Sequence, residues 1–151
     1  MKKELQKRKI LEYVAEGAGP AVFLIHGFAL HYKLWDEITD FLKPHYRVIR
    51  PILPGHPFSE SASETVAIPE LADTVIRIAD EEGIEKFTVI GHSLGGYIAL
   101  EIAAMAPGRM RSLGLLHSHP HGDDANKVSE RKKAIDFVMK WGPKIYLRES
   151  L

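Results

Sequence analysis

Phe87-Thr88-Val89-Ile90-Gly91-His92-Ser93-Leu94-Gly95-Gly96 is the stretch on which the reading of this sequence turns. Phe87 to Ile90 reads as a short strand, and Gly95 to Ala106 as a helix closed by Pro107-Gly108. Between them stands the pattern Gly91-x-Ser93-x-Gly95, and its glycines have a steric reason. A turn that passes from strand to helix in so few residues strains its central residue and crowds neighbouring segments, so a side chain at 91 or 95 would collide. Ser93 is thereby lifted to the carboxyl end of the strand with its hydroxyl exposed. The following helix turns its N-terminal NH groups towards any negative charge that develops there. Three fixed positions would match by chance in about one chain in twenty of this length, so the weight lies in the strand before and the helix after. A glycine-rich tight turn without chemistry is the plain alternative.

Strand and helix alternate on both sides of this turn. Ala21 to Ile25 (AVFLI) is an uninterrupted apolar run, as expected of a central strand buried on both faces of a parallel sheet. Tyr32 to Lys43 predicts a helix with Trp35, Ile38 and Leu42 on one face and Pro44 as its stop. Tyr46 to Arg50 reads as a strand running into the turn Pro51-Ile52-Leu53-Pro54-Gly55-His56-Pro57. Ile68 to Glu82 predicts a helix, with Leu71, Val75, Ile78 and Ala79 at helical spacing, Pro69 in the first turn and Gly83 past the end. Ser112 to Leu116 is a further strand, and Ile10 to Val14 a candidate edge strand before Gly17-Ala18-Gly19-Pro20. The expected class is α/β: a mostly parallel sheet with right-handed crossovers and helices on both faces. Beyond His117 a polar loop leads to an amphipathic segment, Ser129 to Trp141. Residues 1–122 are read as a partial core and residues 123–151 as the beginning of a helical cap or lid.

Composition narrows the function. Twenty Lys plus Arg balance twenty Asp plus Glu in 151 residues, so no long-range field recommends nucleic acid or an anionic membrane, and a small neutral substrate fits better. The absence of cysteine excludes disulfides, thiolate metal sites and a cysteine nucleophile. The basic stretch Met1 to Lys9 is not followed by the apolar run of a secretory signal, and no run approaches the ~20 residues of a membrane span. A cytoplasmic protein is expected.

With Gly91 to Gly95, the triplet His26-Gly27-Phe28 and the loop Leu53-Pro54-Gly55-His56 with Ser59, the sequence resembles the α/β-hydrolase fold family over nearly its whole length. The resemblance implies Ser93 as nucleophile and an oxyanion hole made by the backbone NH groups of Phe28 and Leu94. It also implies that His26, Gly27, His92 and Tyr97 line the substrate site. Two positions depart from the family: Ile52 stands where aspartate is usual and Pro57 where glycine is usual, which places the local loop geometry in question. Phe28, Leu30, Tyr97 and the lid from about Asn126 suggest an apolar acyl group of modest size.

A serine hydroxyl attacks only when a histidine takes its proton and an acid orients that histidine. In the family these follow the serine in the order acid then histidine, the histidine near the end of ~250 residues. The sequence is therefore expected to stop before the sheet and the triad are complete, leaving an edge that invites a homodimer or a complementing C-terminal chain. Within the chain, His117, His119 and His121 read either as a metal site or as a polar loop, and Pro120 and Gly122 favour the loop. Asp123 or Asp124 reads as an acid placed one strand early or as a helix cap. His26 reads as an orienting loop residue and His92 as packed beside the turn. No metal and no cofactor is expected. The functional expectations are a serine hydrolase acting on ester, thioester or related acyl bonds through an acyl-enzyme intermediate, or a non-catalytic ligand- or partner-binding module of the same fold.

Overall fold

Alternate residues of one strand organise both halves of the core. In the computed structural model, which describes residues 11–54 and 66–150, strand β2 (Ala21–Ile25) is buried at every position. Ala21, Phe23 and Ile25 pack with Leu71, Val75, Ile78, Ile98 and Ile102, while Val22 and Leu24 pack with Trp35 and Val48 on the opposite face. The uninterrupted apolar run thus means two apolar faces, as a central strand of a parallel sheet requires. Complete burial of Phe23, Leu24 and Ile25 contributes about 1.5–3 kcal/mol for each side chain.

The sheet has the order β1-β3-β2-β4-β5, with β1 Tyr13–Glu16, β3 Arg47–Pro51, β4 Phe87–His92 and β5 Met110–Leu116. Only β1 is antiparallel, pairing Tyr13 with Pro51 and Glu16 with Val48. β2 runs parallel to β3 and β4, and β4 parallel to β5. The edge strand therefore forms slightly later than Ile10 to Val14, and Ile10 itself lies outside the described residues.

Helix α2 (Ile68–Glu81) buries the predicted Leu71, Val75, Ile78 and Ala79, has proline in its first turn and ends before Gly83, whose φ is +67°. Helix α3 (Leu94–Met105) follows Ser93 directly and sets Ile98, Ala99 and Ile102 into the core. One expectation is corrected. Tyr32 to Lys43 is not one helix but a 3-10 turn, Tyr32–Trp35, followed by α1, Asp36–Leu42. Trp35 and Thr39 are buried whereas Ile38 is 41% exposed. The face turned inward is the i, i+4 pair Trp35 and Thr39 with Leu42 partly buried, and Ile38 falls off that line.

The chain divides into two compact units, Met1–His119 and Pro120–Leu151. The second contains α4 (Ala125–Trp141) and α5 (Pro143–Ser150), whose Phe137 and Tyr146 rings lie 6.1 Å apart. α4 begins four residues earlier than its amphipathic segment predicted, because Asp124 caps it: the carboxylate accepts a hydrogen bond from the Lys127 NH at 2.8 Å. Asp123 pairs with Arg131 in the same unit. No helix among the described residues is long and apolar enough to cross a membrane.

Candidate active site

Ser93 sits at the junction of β4 and α3 with φ 50° and ψ −113°. A residue with a Cβ adopts such a conformation only when its surroundings enforce it. The surroundings here are backbone. A Cβ at Gly91 would strike the carbonyl of Gly95, and a Cβ at Gly95 would strike the carbonyl of Ile25 and lie 2.9 Å from that of His26. Both glycines are thus required by close approach, as the motif predicted. The turn is locked at two further points: the Ser93 NH donates to the Leu116 carbonyl of β5 at 3.0 Å, and the Gly96 NH donates to the Ser93 carbonyl at 2.9 Å. Ser93 itself is half-buried, at the carboxyl end of the sheet and at the N-terminus of a helix of 12 residues.

The loop after β2 reaches the same rim. His26 is 2% exposed. Its Nδ1 lies 2.9 Å from the Gly27 carbonyl, and its Nε2 accepts a hydrogen bond from the Leu53 NH at 3.1 Å. Since Nε2 must be unprotonated to accept, the proton resides on Nδ1; Nε2 ties this loop to the one after β3, while Nδ1 braces the ring within its own loop. His26 is therefore an anchor between loops. Gly27 is buried against the elbow: a Cβ there would lie 2.8 Å from His92 Nδ1 and 3.2 Å from Ser93 Cβ. Gly27-Phe28 and Ser93-Leu94 are thus neighbours, which brings together the two segments to which the resemblance assigns an oxyanion hole. The Phe28 side chain is 69% exposed at this rim, and Ala29 after it has φ 57°.

The His92 ring adjoins both Gly27 and His117, its centroid 5.6 Å from that of His117. Its Nδ1 is buried without a hydrogen-bond partner. Burial, and secondly the neighbouring His117, hold its pKa below the ordinary histidine range. Tyr97, on the first turns of α3, is half-buried and meets the His119 ring edge-on at 6.3 Å. Residues 117–121 form no strand, and among the described residues no group of three His, Asp or Glu side chains is arranged to hold a metal ion. Leu53 is buried at the start of its loop, while Gly55, His56, Pro57 and Ser59 lie outside the described residues.

Three features escaped the sequence. The bond from the Leu53 NH that fixes the His26 tautomer joins residues 27 apart. The left-handed conformations of Ala29 and His117 (φ 48°) have almost no signal, since positive φ is uncommon for any residue other than glycine even where it is enriched, as for histidine. Ser118 packs on Gly96, where a Cβ would strike it, and this gives the third glycine of the motif its reason.

The sequence profile described as alpha/beta hydrolase fold matches residues 20–143. Among similar proteins, the dihydrolipoyllysine-residue acetyltransferase component of the acetoin cleaving system of Cupriavidus necator is 36% identical over 117 residues, which are 77% of this chain and 31% of that protein. The pimeloyl-[acyl-carrier protein] methyl ester esterase of Nitrosomonas europaea is 36% identical over 104 residues, 69% of this chain and 39% of that protein. Among solved structures, a thermophilic esterase from Thermogutta terrifontis superposes with a TM-score of 0.84 at 27% identity, over 92% of this chain and 52% of that one. The chain thus spans between about a third and a half of these relatives. With the elbow, the neighbouring loop and the sheet order in agreement, the chain belongs to the alpha/beta hydrolase fold family.

Proposed function

We propose that the protein is a serine hydrolase that cleaves ester, thioester or related acyl bonds through an acyl intermediate on Ser93. The observation that carries this reading is the strained turn at Ser93, held by backbone contacts on two sides and set against Gly27-Phe28. Strain that backbone packing maintains at a half-buried hydroxyl is hard to account for by folding alone.

In the proposed reaction the Ser93 hydroxyl adds to the acyl carbon as a base takes its proton. The NH groups of Phe28 and Leu94 receive the oxygen of the tetrahedral intermediate, which collapses with loss of the alcohol or thiol. Water then attacks the acyl-serine by the reverse sequence. This chemistry calls for no metal and no organic cofactor. His26 does not suit the role of base, because both its ring nitrogens are occupied. We place the base and its orienting acid outside the matched stretch, in keeping with relatives of which that stretch is 31% to 52%. The relatives' names include a methyl ester esterase and an acetyltransferase component, which supports a small acyl compound as substrate. Phe28 and Tyr97 are the side chains we assign to its apolar part. A chain without cysteine suits a reducing compartment, and we place it in the cytoplasm.

The test is a fluorophosphonate probe on the whole protein that carries this chain, beside a control hydrolase. Labelling at Ser93, abolished in Ser93→Ala together with ester turnover, is the expected result. A protein that stays unlabelled while the control reacts, and whose ligand binding is indifferent to Ser93→Ala, refutes the proposal and favours the non-catalytic module.

A further inference from the structure

Among the described residues three other than glycine have positive φ: Ala29, Ser93 and His117. They follow the carboxyl ends of β2, β4 and β5. Left-handed backbone is costly for a residue with a Cβ, persists only where its surroundings impose it, and gathers at working sites. Ala29 and Ser93 belong to the loop and the turn already described. His117 does not.

What the left-handed step achieves is visible in its contacts. The Leu116 carbonyl has just accepted the Ser93 NH. At His117 the chain then turns so that its imidazole lies against that of His92, with planes inclined by 56°. Ser118 comes to rest on Gly96, at the place a Cβ of that residue would occupy. The His92 ring also meets Gly27, where a Cβ would lie 2.8 Å from its Nδ1. Residues 117 and 118 thus grip the turn at the residue before Ser93 and at the third residue after it, and the His92 ring passes the contact on to the loop that carries Phe28.

We infer that His117 is a positioning residue, whose left-handed backbone holds its imidazole on His92 and Ser118 on Gly96 and so fixes the separation of the Ser93 turn from the Gly27-Phe28 loop. The inference rests on Ser93 being the nucleophile. A half-buried His92 whose Nδ1 is shielded suits a spacer, and the downward displacement of its pKa agrees.

The experiment compares His117→Gly and His117→Phe in the whole protein, with p-nitrophenyl acetate as substrate. Glycine relieves the strain and removes the ring: kcat should fall about tenfold or more with KM within about twofold, a displacement well under 1 Å being sufficient, while Tm holds or rises. Phenylalanine keeps the ring, and kcat should stay within about threefold of the parent. A glycine variant with parental kcat, a phenylalanine variant as impaired as glycine, or losses of kcat that track losses of Tm in both would overturn the assignment. Two measurements need no activity: a nuclear Overhauser contact between the two imidazoles, and an upward move of the His92 titration in His117→Phe. Their absence overturns the pairing by itself, whereas a parent that neither turns over ester nor takes up fluorophosphonate refutes the nucleophile and the positioning role with it.

Discussion

Replacing Gly95 by alanine adds one methyl group at the point where the turn meets the end of β2. The new Cβ would lie 2.9 Å from the His26 carbonyl oxygen and closer still to that of Ile25. Ordinary carbon–oxygen contact begins near 3.4 Å, so α3 and the end of β2 must separate by half an ångström or more. Neither partner yields easily: Ile25 is paired with Gly91 in the ladder between β2 and β4, and α3 is bound at its start through Ser93 to β5. Overpacking typically costs about 1–3 kcal/mol, and backbone neighbours put this case at the upper end. A displacement of that order between Leu94 and Phe28 should cost the proposed reaction up to about a hundredfold. Urea unfolding gives the stability and fluorophosphonate uptake the reactivity. Gly108→Ala is the control, since a Cβ there meets nothing within 4 Å; it should be neutral or stabilising by about 0.4–1 kcal/mol. Were Gly95→Ala to unfold within about 0.5 kcal/mol of the parent with unchanged m, the steric account of the motif would be wrong.

Ser93→Gly should be more stable than Ser93→Ala by about 1 kcal/mol in thermal unfolding, because alanine keeps the strained Cβ and glycine does not. Arg50, 4% exposed, pairs with Asp36 and Glu16 and lies over the Tyr32 ring; Arg50→Ala should cost about 2–4 kcal/mol in urea, nearer the lower figure because both carboxylates rehydrate. The Arg47 guanidinium, opposed by burial and helped by Tyr13, holds Glu82 below the usual glutamate range. A depressed carboxyl contributes stability that is present above its unfolded pKa and lost as pH falls through the folded one, so Glu82→Gln should flatten the acid limb of stability below about pH 4.3. His92, depressed by burial and by His117, binds fewer protons folded than unfolded. Stability should therefore fall as pH drops below about 6.5, and His92→Phe should remove that part of the slope.

Much of the fold was legible because its signals are local. Five apolar residues in a row announced β2, and Pro69, the period of Leu71, Val75 and Ile78, and Gly83 bounded α2 within one residue. The stretch after Tyr32 was misread because a 3-10 start changes which residues face inward, and periodicity alone does not distinguish the two helix types. Ser93 and its glycines were legible since they stand within five contiguous residues between a strand and a helix, although the crowding at Gly95 comes from Ile25 and His26. The partner of His26 and the roles of His117 and Ser118 were not, because they arise where β2, β3, β4 and β5 end side by side. Only the order of the sheet brings those residues together.

The bond from the Ser93 amide to the Leu116 carbonyl has a consequence of its own. That amide hydrogen is already consumed as a rung of the sheet and should exchange slowly with heavy water. A residue so tethered has no backbone hydrogen to spare for an anion forming at its own side chain. Any such anion must be met by amides lent from positions next door, which makes this serine dependent on its neighbours.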